Sequence, residues 1–195
     1  MALVQNDLVP GSGDQLLTLD TDTNLEWLNL TATAGQSYLD VLGGFGGFIG
    51  TLGFDFATGA QVGELFAHAN ISKGLSEPAF TPSPNDIPNH NGIQTLQDLM
   101  GGKAYLPGSP ESLIRSHGIE KPPSPPSGSV FSVYMRYLSL NLNAIQKSHT
   151  DVTITPGNKR DPMVGSYLVR PVSVASPKIT GKPGKGPKKK TGKTK

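Results

Sequence analysis

The chain has 195 residues, of which 24 are Gly and 17 Pro while only 16% are charged, a balance that excludes a helical bundle and favours short strands, turns and loops. It holds no Cys, which excludes a disulfide framework, a thiolate metal site and a Cys nucleophile. The net charge of +2 joins two unlike parts: Pro171 to Lys195 carries eight lysines and no acid, while residues 1–170 carry nine basic against fifteen acidic residues, a formal charge of −6.

Met1-Ala2-Leu3-Val4-Gln5-Asn6-Asp7 has neither a positive n-region nor an apolar h-region, so it reads as a mature sequence given a new initiator. Leu16 to Leu19 and Leu25 to Leu30 read as two strands joined by an Asp-Thr-Asp-Thr-Asn turn, whose polar side chains bond their own backbone. Ser37 caps a short predicted helix, Tyr38 to Leu42, which Gly43-Gly44 ends. The loop Gly43 to Gly53 carries Phe45, Phe48 and Ile49. Its glycines suit turn and packing roles, because no Gly-Lys-Ser/Thr follows, and an exposed aromatic loop formed by Phe45 and Phe48 is the alternative. The run Val41 to Phe56, broken by glycines and an Asp, falls short of the roughly 20 apolar residues a spanning helix needs.

Thr58-Gly59-Ala60-Gln61 fits a capping box, and Val62, Leu65 and Phe66 follow at helical spacing. A loop is predicted over Ser76 to Asn91, then a helix over Ile93 to Met100 that Gly101-Gly102 ends. Ser109-Pro110-Glu111 reads as a cap, a first-turn proline and a first-turn acid, which predicts helical turns over Ser112 to His117. Lys121 to Gly128 reads as a polyproline-like spacer. Beyond it Val130 to Leu142 is the strongest strand, with Phe131, Val133, Met135 and Tyr137 alternating against Ser132, Tyr134 and Arg136. Asp151 to Thr155 and Ser166 to Val172 supply two more strands. Helices in the middle and strands at both ends predict an α+β domain over residues 1–175, in which N-terminal strands pair with C-terminal ones. A lysine-rich tail, disordered for want of apolar content, occupies 176–195.

No set of residues carries a catalytic signature. Asp20, Asp22, Asn24 and Glu26 alternate as the opening of an EF-hand loop does, but Leu25 stands where its Gly is wanted and Thr31 where its bidentate Glu is wanted, so a turn whose carboxylates cap backbone N–H groups is the better reading. His68, His90, His117 and His149 lack metal-ligand spacing and read as solvated loop histidines. Asn29-Leu30-Thr31 and Asn70-Ile71-Ser72 match the glycosylation acceptor pattern. No cofactor and no small-molecule substrate are signalled.

Three segments resemble exported bacterial proteins of the PEP-CTERM-associated type: Leu17 to Leu30, with the only Trp in Leu25-Glu26-Trp27-Leu28, then Phe56 to Phe66, then Arg160 to Arg170. A more distant similarity runs to Lcl-type C-terminal domains, which implies a C-type-lectin-like fold with paired termini. Asn24 stands where those proteins have Gly, and the lysine tail stands where a Pro-Glu-Pro motif and apolar anchor belong. The Glu-Pro-Asn and Trp-Asn-Asp motifs of calcium lectins are missing, so carbohydrate binding does not come with the resemblance. The expectation is a secreted or surface-associated, non-enzymatic protein that binds or self-assembles through Phe45, Phe48 and strand edges. The alternative is a polyanion binder, for nucleic acid or acidic polysaccharide, acting through Lys178, Lys182, Lys185, Lys188, Lys189, Lys190, Lys193 and Lys195.

Overall fold

The computed structural model describes residues 3–71, 87–101, 104–105, 112–119, 121, 129–139 and 147–172. Most of the predicted loop over 76–91, the spacer over 122–128 and the lysine tail lie outside the described residues.

Short alternating stretches build a first sheet from both ends of the chain. β1 (Leu3–Asn6), β2 (Leu17–Asp20), β3 (Leu25–Leu28), β4 (Asp55–Phe56) and β10 (Leu168–Pro171) lie in the order β1-β2-β3-β10-β4, every neighbouring pair antiparallel. The expected pairing of N- and C-terminal strands is therefore present: Trp27 stands opposite Val169 and Glu26 opposite Arg170. β1 was not expected, because four residues ending in Gln-Asn carry too little pattern to read; pairing with β2 fixes it.

Period-two alternation sends successive side chains to opposite faces of this sheet, and each face is covered. On one face Trp27, Tyr167 and Val169 pack with Val62, Leu65 and Phe66 of α2 (Gly59–His68) and with Ile93, Leu96 and Met100 of α3 (Ile87–Met100). On the other, Leu17, Leu28, Phe56 and Leu168 pack with Tyr38 and Val41 of α1 (Tyr38–Leu42) and with Phe48 and Phe54. Trp27 is 1% exposed, so this one side chain anchors the sheet to the helices. The predicted capping box of Thr58 with Gln61 forms on α2, and the predicted cap Ser37 makes a full capping box with Asp40 on α1.

The second sheet runs β5 (Ala104–Tyr105), β6 (Ser112–Ile119), β7 (Ser129–Ser139), β8 (Lys147–Pro156), with β9 (Gly165–Ser166) parallel to β6. β6 corrects the helical reading of Ser112 to His117. The Ser-Pro-Glu signal is local, whereas Leu113, Ile114 and Ile119 belong to a strand paired with β7 along its whole length and with β5 on its other side, so tertiary pairing overrides the cap. α3 begins at Ile87 rather than Ile93, inside the predicted loop; Pro88 is tolerated because a first-turn residue needs no N–H partner. The fold is α+β with predominantly antiparallel sheets, and no helix among the described residues is long and apolar enough to cross a membrane.

Candidate functional site

The alternating acids of the β2–β3 turn separate onto different tasks. Asp20 Oδ1 accepts the N–H groups of Asp22 at 3.1 Å and Thr23 at 3.4 Å, and Oδ2 accepts from His68 Nδ1 at 2.7 Å. Burial pulls the Asp20 carboxyl up, but hydrogen bonds from His68, Thr23 and the Asp22 N–H pull it down and prevail, holding it below its ordinary value. Asn24 adopts φ 54°, the left-handed conformation that Gly fills most readily and that Asn tolerates best among the rest. Glu26 lies on the other face, where Arg170 Nε donates to its Oε2 at 2.7 Å. Arg170 also donates to the Leu52 carbonyl at 2.9 Å and lies 4.5 Å over the Phe54 ring. The turn is thus a structural junction. Among the described residues no group of three or more His, Asp or Glu stands where it could hold a metal ion.

The loop reading of the histidines is corrected. His68 ends α2 and meets buried Asp20, His90 lies in α3, His117 in β6 and His149 in β8. Asn29 is a buried cap rather than an open acceptor: its Oδ1 takes the Thr31 N–H at 3.0 Å and its Nδ2 donates to the Leu99 carbonyl at 3.4 Å. Asn70, at φ 63°, is exposed.

The two phenylalanines of the Gly-rich loop part company. Phe48 is 9% exposed and packs edge-on against Phe54, their centroids 6.4 Å apart, so its reading as an exposed contact residue is corrected. Gly46, at φ 65°, has no Cβ where one would strike the Phe48 ring, and this close approach seats the ring in the core. Phe45 remains 40% exposed, its centroid 6.5 Å from that of Phe48. Sequence reasoning missed Leu39 (50% exposed) and Leu42 (48%), which lie one turn apart on α1 and form an apolar ridge; Phe45 follows beyond Gly44, whose φ of 103° ends the helical run. The i, i+3 spacing of Leu39 and Leu42 was visible, but which face of so short a helix is covered was not.

The ridge rests on a rigid base. Ser37 Oγ donates to Asp40 Oδ2 at 2.6 Å, and Arg160 grips the same carboxylate through Nε at 2.8 Å and a terminal nitrogen at 2.7 Å. The Arg160 hydrogen bonds, followed by those from Ser37, hold the Asp40 carboxyl well below the usual carboxylate range. The Leu39 N–H donates to Gly157 at 3.1 Å, tying α1 to the turn after β8. Chemically the arrangement offers apolar contact beside a charge-assisted hydrogen-bond network. No family model, curated protein or solved structure matches the chain.

Proposed function

We propose that this chain is an exported bacterial surface or extracellular-matrix protein, non-enzymatic, that works by binding and self-association on a C-type-lectin-like scaffold. The observation that carries the reading is the set of exposed apolar side chains Leu39 and Leu42 on α1 and Phe45 just beyond it, beside the Ser37–Asp40–Arg160 hydrogen bonds. The three resembling segments support the scaffold, since they meet in one sheet: β2–β3, β4 leading into α2, and β10. Covering the exposed halves of three such side chains is worth roughly 3 kcal/mol, too little for a tight dimer and suited to weak contacts repeated across an assembly.

Sedimentation velocity of the full-length protein at low and high salt, beside the Leu42→Asp/Phe45→Ser variant, tests this. Assemblies that persist in high salt and collapse to monomer in the variant, with an unchanged melting temperature, are expected, because exposed substitutions alter stability by only about 0.5 kcal/mol. Wild-type protein that stays monomeric at both salts refutes the reading. The segregation of eight lysines into residues 178–195 favours polyanion binding as a second function. A monomer that shifts only when polyanion is added at low salt would put that function first.

A further inference from the structure

The first sheet guards its two edges unequally. At one end β4 is only two residues long, its Asp55 carboxylate takes Lys121 Nζ at 2.6 Å, and the Lys121 N–H closes on the Ala57 carbonyl at 2.7 Å, so charge and a neighbouring segment protect that edge. At the other end β1, Leu3-Val4-Gln5-Asn6, holds no charge and no Pro, and Val4, Gln5 and Asn6 are exposed, Val4 by 46%. Among the described residues no strand pairs with its outer edge.

The ladders show which backbone groups that edge presents. Antiparallel bonds join residues directly opposite one another, and alternate residues of a strand bond to alternate neighbours. The Asn29 N–H donates to the Leu16 carbonyl at 2.8 Å, which in the β2–β3 register commits Leu16, Thr18 and Asp20 to β3 and leaves Leu17 and Leu19 to bond β1. Their partners on β1 are Asn6 and Val4. The N–H and C=O groups of Leu3 and Gln5 therefore point outward. Leu3 packs on the helix-facing core, so Gln5 shares that face and Val4 lies on the other. Beyond Asn6 the strand ends, and Asp7 is engaged with the following loop, accepting the Gly13 N–H at 2.9 Å and the Gln15 N–H at 3.0 Å.

We propose that β1 pairs antiparallel with β1 of a second copy of this chain, about a two-fold axis perpendicular to the sheet and passing between the two Val4 residues. This register keeps like faces together and joins Leu3 of each copy to Gln5 of the other, so that every outward N–H and C=O of the strand is bonded. It also sets Val4 against Val4 in the closer, non-hydrogen-bonded position. An axis at Gln5 would instead place Leu3 opposite Asp7, outside the strand, and Val4 opposite Asn6. A second copy suits this edge because the strand is uncharged and self-complementary, so two copies meet without like-charge repulsion. Four residues fall far short of the roughly 20–30 a side of a stable interface, so the pairing rests on the self-association proposed above and works beside the apolar ridge.

The chain holds no Cys, so a single introduced thiol reports one position. Full-length Val4→Cys, Asn6→Cys and Val9→Cys are each oxidised with glutathione disulfide, and the linked dimer is followed by non-reducing electrophoresis. In the pair the two Cβ atoms at position 4 lie about 4.5–5.5 Å apart, close to disulfide reach, whereas the two Asn6 positions are about 14 Å apart. Val9, 59% exposed, reports random collision. Val4→Cys is expected to link about tenfold faster than either control. Gln5→Pro removes an outward N–H and no bond to β2, so in the Val4→Cys background it should bring linking down to the Val9→Cys rate, with the urea midpoint read by Trp27 fluorescence showing that the fold is kept. Fast linking that survives Gln5→Pro overturns the pairing. Val4→Cys that links no faster than Val9→Cys, in protein that sediments as an assembly, overturns it too and leaves the self-association reading standing; the same equal rates in protein that sediments as monomer overturn both.

Discussion

Replacing Arg170 by Ala removes three interactions at the place where the chain's ends meet. It deletes the 2.7 Å hydrogen bond to Glu26, the 2.9 Å bond to the Leu52 carbonyl and the cation above Phe54. It also leaves the Glu26 carboxylate without this counter-charge in a site where its side chain is only 11% exposed. Breaking a buried pair from one side costs about 3–5 kcal/mol; because the Arg170 side chain is 19% exposed, water relieves part of this and about 3 kcal/mol is expected. With a urea slope of about 2 kcal/mol/M, the unfolding midpoint falls by about 1.5 M. Trp27, the only Trp, is buried in the adjacent register position of β3, so its fluorescence reports the transition directly. The double variant Glu26→Gln/Arg170→Met should lose less than the single change, since no charge is left stranded. A loss below about 1 kcal/mol in Arg170→Ala would refute the reasoning and place the pair with solvent-screened surface bridges.

Two further changes test the helix-facing side. Asp20→Asn should destabilise the protein by about 1–3 kcal/mol at neutral pH through its weakened bonds to His68 and the turn. The folded-state pKa of Asp20 lies below the unfolded one, so its stabilisation is complete above about pH 4 and is lost as pH falls through the folded value. The variant's urea midpoints should therefore fall less steeply than wild type between pH 4 and 2, the remaining slope including Asp14, whose carboxyl the Leu16, Val9 and Leu8 N–H groups lower to about 2; parallel slopes would refute the assignment. Glycines in two helices should respond with opposite signs. Gly63→Ala in α2 meets open space and should stabilise by about 1 kcal/mol, whereas a Cβ at Gly92 in α3 would strike the Ala69 carbonyl, and overpacking by about 1–3 kcal/mol should outweigh the same propensity gain. Thermal melts of the two variants decide it, and Gly92→Ala melting above wild type would show that α3 stands further from α2.

What the sequence made legible was what local chemistry decides. The caps at Ser37 and Thr58, the Asp-rich turn and the alternation of β7 are all written within a few residues. β6 was misread because its Ser-Pro-Glu lead and its pairing with β7 give opposite instructions, and only the second carries a long ladder. Phe48 was expected outside and Leu39 went unremarked for a similar reason: burial there depends on Gly46 admitting one ring to the core and on Arg160, 120 residues away, gripping the helix that holds Leu39 outward.

The three sequence segments Leu17 to Leu30, Phe56 to Phe66 and Arg160 to Arg170 are the ones the fold consumes. Glu26 and Trp27 of the first meet Arg170 and Val169 of the third, the capping box of the second seats α2 over Trp27, and Arg160 at the start of the third clamps α1. A signature used up in closing a sheet reports architecture, and substitutions in it should act on stability before they act on any partner. Function must then be sought in residues the fold does not need. Leu39, Leu42 and Phe45 leave apolar area uncovered, and eight lysines are gathered in residues 178–195. These two features lie in different stretches of the sequence and rest on opposite physics, one strengthened by salt and the other screened by it. Assembly and anion binding should therefore separate in a salt titration of one protein, with self-association persisting where anion binding has already been lost.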